Sequence, residues 1–275
     1  MSRVGLAAKS GWGKSYNTQL WLEKNLPEQD YAAILDYKDE YRGLVDGVPP
    51  ATDATDLCGW YIAGPNEVDL SPAQWAAILE DAGRVVIPRY RIDGDDWREV
   101  VGNVCAACRR LYENHPKAKI LTAIDEAHIA APQQQGFPEA TSKAATTGRG
   151  EGLSSLWVTQ RLSEMDETII AQWDEQILGG FSSDADLGKI SVDYPSEVHD
   201  TRSSYVSQLP DGIRVDGENL PVRKFTNDAG NTIGSEWIRS NDSGLIERVD
   251  TGDVPMASKH YGSQGQTLKS PYDTE

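Results

Sequence analysis

Residues 7–21, AAKSGWGKSYNTQLW, set Gly11 and Gly13 just ahead of Lys14 and Ser15. They lie between an apolar run, SRVGLAA, that reads as a buried strand and a stretch, SYNTQLWLEKNL, with helical periodicity that Pro27 ends. A strand, a glycine-containing loop and a helix in that order make a cradle. Loop N–H groups and the helix N-terminus converge on one anion, and glycine permits the turn. The pattern G-x-x-x-x-G-K-[ST] is met from residue 8 to residue 15 except that Ala8 stands for its first glycine. That position is the exit from the strand, where a methyl group is tolerable. Ala8, Lys9, Ser10, Gly11, Trp12, Gly13, Lys14, Ser15 and Tyr16 are therefore the candidate nucleotide-binding residues. ATP and magnesium are the expected ligands, with Lys14 reaching the β- and γ-phosphates and the Ser15 hydroxyl on the metal.

The rest of the chain supplies the context such a loop needs. Strands are expected at YAAILDY (31–37), WYIA (60–63), RVVIPRY (84–90), AKILTAID (118–125), LSSLWVTQ (153–160) and QILGGF (176–181). Helices are expected between them, at SPAQWAAILEDAG, WREVVGNVCAACRRLYENH, PEATSKAATTGRG, ETIIAQW and SDADLGKI. Alternation of this kind predicts an α/β fold with a mostly parallel sheet flanked by helices. After residue 192 the texture changes. GIRVDGENLPVRKF reads as a β-hairpin with DGEN at its bend, and the Asn-, Asp-, Ser- and Gly-rich stretch beyond reads as a disordered tail. The expected division is an ATPase domain over 1–238 and a polar tail over 239–275.

A second, independent motif is ILTAIDEAH, which sets Asp125 and Glu126 at the end of a buried strand, the edge where ligands bind in open α/β sheets. Asp125 suits magnesium and Glu126 suits polarising the water that attacks the γ-phosphate. Burying two such acids is costly without a cation partner, which the metal provides. The letters DEAH match a helicase motif, but the chain shows no second helicase core and no QxxGRxGR segment. At the next strand end, WVTQR places Gln160 where it would sense the γ-phosphate. Arg149, in TTGRGEG, and Arg161 are candidates for the cation that neutralises transition-state charge, each with a surface ion pair as its alternative.

In order, AAKSGWGKS, ILDYKDEY, LTAIDEAH and GRGEGLSSLWVTQRLSEMDETIIAQWDEQILGGF resemble the HerA/FtsK superfamily of P-loop ATPases, RecA/HerA-like in fold, which pump DNA. The resemblance spans residues 2–226, with no matching motif between 41 and 116. It implies Lys14 and Ser15 on phosphate and magnesium, Asp125 on magnesium, Glu126 as the catalytic acid, Gln160 as the sensor, and Asp36 near the nucleotide. It also implies a homo-oligomeric ring, usually a hexamer, in which an arginine reaches the neighbour's nucleotide. The chain lacks the additional domains of the cellular members, and this shortness resembles the genome-packaging ATPases of membrane-containing viruses. Double-stranded DNA is the implied substrate, with capsid or membrane proteins at a packaging vertex as further partners. An assembly or membrane-remodelling ATPase and a plasmid coupling ATPase are the competing readings.

Composition bears on the partners and the compartment. The chain has 43 acidic residues against 26 Lys and Arg, with 25 Asp and 11 Lys, giving a formal net charge of −17. Such a surface repels nucleic acid in dilute salt. In molar salt the screening length falls to about 3 Å, so the same surface also suits a halophile, where it maintains hydration and solubility. No apolar run approaches membrane-spanning length, which predicts a soluble protein of the host cytoplasm or the virion. Cys105 and Cys108 stand one turn apart on a helix and read as packed thiols rather than zinc ligands. RYRIDGDDWR, 89–98, is the best basic and aromatic loop for a DNA channel, against the alternative of a solvated strand end.

Overall fold

The structure, a computed structural model, describes residues 2–45, 57–147 and 152–262. Ten strands form one mixed sheet: β1 (Arg3–Ala7), β2 (Tyr31–Asp36), β3 (Gly59–Trp60), β4 (Arg84–Pro88), β5 (Ile120–Ile124), β6 (Leu153–Thr159), β7 (Glu175–Leu178), β8 (Lys224–Thr226), β9 (Thr232–Asn241) and β10 (Ile246–Asp250). The spatial order is β10-β9-β7-β1-β6-β5-β2-β4-β3, with β8 paired to β9. Strands β1 to β7 pair in parallel, and β9 joins β7 antiparallel. The helices are α1 (Lys14–Asn25), α2 (Pro72–Ala82), α3 (Gly94–Asn114), α4 (Ala127–Ala130), α5 (Glu139–Thr146), α6 (Glu167–Ile170) and α7 (Asp184–Leu187).

The parallel strands are apolar at nearly every position because both faces are covered, as a crossover sheet requires. In β2, Ala33 and Leu35 face the core under α2 and α3, while Ala32 and Ile34 face the core under α1. Since β1, β6, β5 and β2 run side by side in one direction, their C-terminal ends share one edge. The loops that follow these four strands therefore lie together.

Helix starts differ in a way that matters for that edge. Helix α2 opens with a capping box between Ser71 and Gln74, and α3 opens with the Asp93 carboxylate accepting from the N–H groups of Asp95 and Asp96. Both starts are closed by the chain's own side chains. Helix α1 has no side-chain cap and no acid in its first turn, and Gly13 precedes it in the left-handed region at φ 87°. Its first N–H groups are left for an external acceptor.

The C-terminal part departs from expectation. The boundary at 238/239 falls inside β9, and the chain continues through β10 and packs as far as Gly262. NDSG, read as disorder, is the turn between β9 and β10: the Asn241 side chain accepts from the N–H groups of Ser243 and Leu245. The expected hairpin around DGEN reduces to a tight turn with one bridge between Val215 and Glu218, and the strand Lys224–Thr226 pairs forward with β9. The part of the expected tail from 263 to 275 lies outside the described residues. Cys105 and Cys108 are buried on α3, where desolvation raises both thiols, Cys108 to about 11, so they stay protonated. Among the described residues no helix is long and apolar enough to cross a membrane.

Candidate nucleotide site

The loop after β1 is fastened at its start and open at its end. Ala8 N–H donates to the Thr159 carbonyl at 3.3 Å and Lys9 N–H to the Gly180 carbonyl at 2.9 Å, tying the loop to the ends of β6 and β7. Trp12 turns inward, 2% exposed, and its indole Nε1–H donates to the Glu236 carbonyl of β9 at 3.2 Å. Room for that ring comes from Gly179 and Gly180: a Cβ on Gly179 would stand 2.5 Å from the Trp12 ring and 2.8 Å from the Ala8 methyl. Ala8 fits at the strand exit because the residue facing it is glycine. Gly11 and Gly13 hold φ values of 72° and 87°, a conformation side chains disfavour.

The two sequence motifs meet. Lys14 Nζ, buried, lies 3.6 Å from Asp125 Oδ1 and 3.7 Å from Glu126 Oε1. Burial alone would lower the Lys14 pKa, but the two carboxylates raise it. Burial raises Asp125 to about 6 against the pull of Lys14, and neither of its carboxylate oxygens accepts a hydrogen bond within the protein. Burial would raise Glu126 too, yet Lys14, Lys38 and His128 outweigh it and hold that carboxyl below its usual range. Glu126 itself sits in the left-handed region at φ 46°, a strained position for a side-chain-bearing residue.

Three side chains outside the candidate set complete the centre. Lys38 makes a close ion pair with Glu126 Oε1. It is brought there by the loop after β2, which Asp36 folds by accepting from the N–H groups of Glu40 and Tyr41. His128 Nδ1 lies 3.4 Å from Glu126 Oε2 and 3.2 Å from Thr159 Oγ1. Lys224 Nζ, from β8, donates to the Gly11 carbonyl at 3.1 Å and so places a cation on the loop. The signal for Lys38 was present in ILDYKDEY, next to Asp36; nothing local marks Lys224.

Other expected residues are arranged differently. Gln160 follows β6 at the shared edge, half-buried, next to Thr159. Arg161 is exposed and pairs with Glu164 at 2.5 Å rather than with Asp125 or Glu126. Arg149 lies outside the described residues. Lys9 leaves the loop's cradle, its Nζ donating to Thr201 Oγ1 at 2.7 Å. Ser15 Oγ lies 3.5 Å from His260 Nε2, and Tyr16 meets the same ring edge to face at 5.6 Å. In the segment 89–98, which runs into α3, Arg89 stacks over Tyr37 at 4.2 Å, Arg91 over Tyr90 at 4.8 Å, and Arg98 pairs with Asp95, so these cations have internal partners.

A parallel sheet with an uncapped helix behind a glycine loop, and an acid pair two strands away on the same edge, defines the P-loop NTPase fold. Solved structures similar in fold include the genome packaging NTPase B204 of Sulfolobus turreted icosahedral virus 2 in complex with AMPPCP. It is 18% identical, with a TM-score of 0.57, over 90% of this chain and 96% of that one. The ATP-gammaS complex of the same protein matches at 18% identity and a TM-score of 0.54, over 90% and 95% of the two chains. VirB4 of Thermoanaerobacter pseudethanolicus matches at 12% identity and a TM-score of 0.57, over 90% and 88%. No protein-family model and no curated protein matches the sequence.

Proposed function

We propose that this chain is an ATP-hydrolysing motor subunit that translocates double-stranded DNA, in the manner of a viral genome-packaging ATPase. The observation that carries the proposal is the convergence of Lys14 with Asp125 and Glu126 beside the open start of α1. Lys14 and the N–H groups from Ser10 to Tyr16 hold the triphosphate. The donor-free, buried oxygens of Asp125 and the Ser15 hydroxyl fit magnesium, which when bound offsets phosphate charge and orients the γ-phosphate. Glu126, held ionised, accepts the proton of the attacking water, and Lys38 and His128 fix its direction. Gln160 senses the γ-phosphate. Arg161 is exposed, which suits a cation offered to a neighbouring subunit of a homo-oligomeric, hexameric ring; Arg149 is the alternative cation.

The DNA part of the proposal draws on the fold shared with B204, whose name states genome packaging, and on the motif order of the sequence. The acidic surface suits a halophilic setting, in which screening removes the repulsion from DNA. Capsid or membrane proteins are the further partners. The test is phosphate release in molar KCl with and without double-stranded DNA. ATP turnover that DNA stimulates is expected, and Glu126→Gln should lower it by roughly 10² to 10⁴ while nucleotide still binds. Full turnover in Glu126→Gln would overturn the hydrolytic centre. ATP turnover indifferent to DNA in any salt would leave an ATPase that moves some other load.

A further inference from the structure

Beside the loop lies a cavity of about 270 Å³, bounded by Gly13, Ser15 and Tyr16 on one side, by Ile233, Gly234 and Gly252 on the other, and by His260. His260 belongs to a strap, residues 256–261, that runs back over α1 after β10. Polar side chains of α1 hold this strap. Glu23 accepts from Ala257 N–H at 2.7 Å and from Ser258 N–H at 2.6 Å. Gln19, fully buried, donates through Nε2 to Ser258 Oγ and to the Lys259 carbonyl at 2.8 and 3.2 Å. The Lys259 carbonyl itself packs on Gly43, where a Cβ would stand 1.9 Å from it. The strap is thus registered to the helix that carries Lys14 and Ser15.

These bonds also fix the imidazole. A carbonyl accepts the Gln19 amide N–H, so Gln19 Oε1 faces His260 Nδ1 at 2.8 Å and must accept from it. The other nitrogen, Nε2, is then an acceptor, and Ser15 Oγ lies 3.5 Å from it. Tyr16 packs edge to face on this ring at 5.6 Å, and both side chains border the cavity. At the mouth, Ile233 is 61% exposed; among the described residues Tyr205 is the other large apolar side chain so exposed.

We propose that this cavity takes the base and sugar of the nucleoside triphosphate whose phosphates lie on the loop, with the strap as its outer wall and His260 as the ring that covers the nucleoside. The proposal rests on the nucleotide-site reading above and extends it to the nucleoside half of the ligand. The cavity opens directly from Gly13 and Ser15, so a phosphate chain on the loop leads into it. Its aromatic and aliphatic edges suit a flat heterocycle, which stacks on rings irrespective of sequence or charge.

The test compares ATP with inorganic tripolyphosphate by calorimetric titration of the full chain in the presence of magnesium. His260→Ala should weaken ATP about tenfold and change tripolyphosphate affinity less than twofold, whereas His260→Phe should retain most of the ATP affinity. Ile233→Ala, at an exposed position harmless to folding, should weaken ATP about threefold and leave tripolyphosphate unchanged. Wild-type ATP affinity in both alanine variants would overturn the proposal and leave the phosphate site standing. Equal loss of both ligands in His260→Ala, with an unchanged Ile233→Ala, would also overturn it, because His260 would then act through Ser15. Failure of the wild-type protein to bind either ligand would remove the phosphate-site reading itself.

Discussion

The parallel half of the sheet, β1 to β7, and the antiparallel end with its strap, β8 to Gly262, are built on different principles. The first half is assembled from local units, each a strand, a loop and a helix, and its acids and cations reach the shared edge because parallel strands all end there. The second half has little helix and few continuous apolar runs. Its strands find partners across turns made of Asn, Asp and Gly, and it serves as a brace for the first: Trp12 anchors on β9, Lys224 on Gly11, and His260 beside Ser15. A phosphate loop is a local motif, but in this protein its geometry is held by residues more than 200 positions away.

Substitutions that cut the brace should separate the two halves. The largest effect on stability is expected from Trp12→Ala, which empties a buried indole site and frees the Glu236 carbonyl. A loss of about 3–5 kcal/mol, read by denaturant unfolding, is the expected outcome. An unfolding midpoint within error of wild type would show that the loop does not need β9.

Acid should weaken the same region through His199. Its Nδ1–H donates to the Gly179 carbonyl at 2.8 Å and its Nε2 accepts from Tyr194 Oη at 3.1 Å, so the neutral ring is fully bonded below the Ala8–Gly179 contact. Burial pushes its pKa down to about 4. A histidine depressed in the folded state gives stability that is complete above its unfolded value of about 6.5 and is lost as pH falls toward the folded value. The loss should be on the order of 3 kcal/mol between pH 6.5 and 4, levelling off below. His199→Gln should flatten that part of the stability–pH curve, and an unchanged slope would reject the assignment.

Gly179→Ala comes next. The added methyl meets the Trp12 ring at 2.5 Å and the Ala8 methyl at 2.8 Å, and overpacking of this sort costs about 1–3 kcal/mol. Combining it with Ala8→Gly, which restores the glycine of the phosphate-loop pattern, should recover only the part due to the Ala8 contact. Full recovery would mean that Trp12 has room to move. The smallest effect on the monomer belongs to Arg161→Ala, under about 0.5 kcal/mol, since the pair with Glu164 is exposed. In an assembled ring the same change should lower turnover by roughly 10³-fold or more if Arg161 serves the neighbour's nucleotide. Normal turnover in the ring would leave Arg149 as the candidate.

Legibility followed the same division. Lys14, Ser15, Asp125 and Glu126 were readable because each sits in a short pattern at the end of an apolar run, and burial on both faces makes such runs conspicuous. Lys38 stood beside a noted acid, yet its partner is 88 residues away and no spacing rule links them. NDSG was misread because the residues that make tight turns are also those that enrich disordered segments, and only a partner strand tells the two apart. His260 lies 245 residues from Ser15, in a stretch whose composition gave no hint of a fixed position.

The sequence by itself determined the alternation of strands and helices, the uncapped helix start behind a glycine loop, and the pair of acids at a strand end. These are consequences of local periodicity and of backbone conformation, both of which neighbours in the chain control. Tertiary structure alone decided how Ala8 is accommodated, since the missing glycine of the loop is matched by Gly179 just past the adjoining strand β7. It also decided that Glu126 lies between Lys14, Lys38 and His128, and that the C-terminal strap closes beside Ser15. Close approach and charge pairing depend on distance in space, and the sheet's crossovers set that distance.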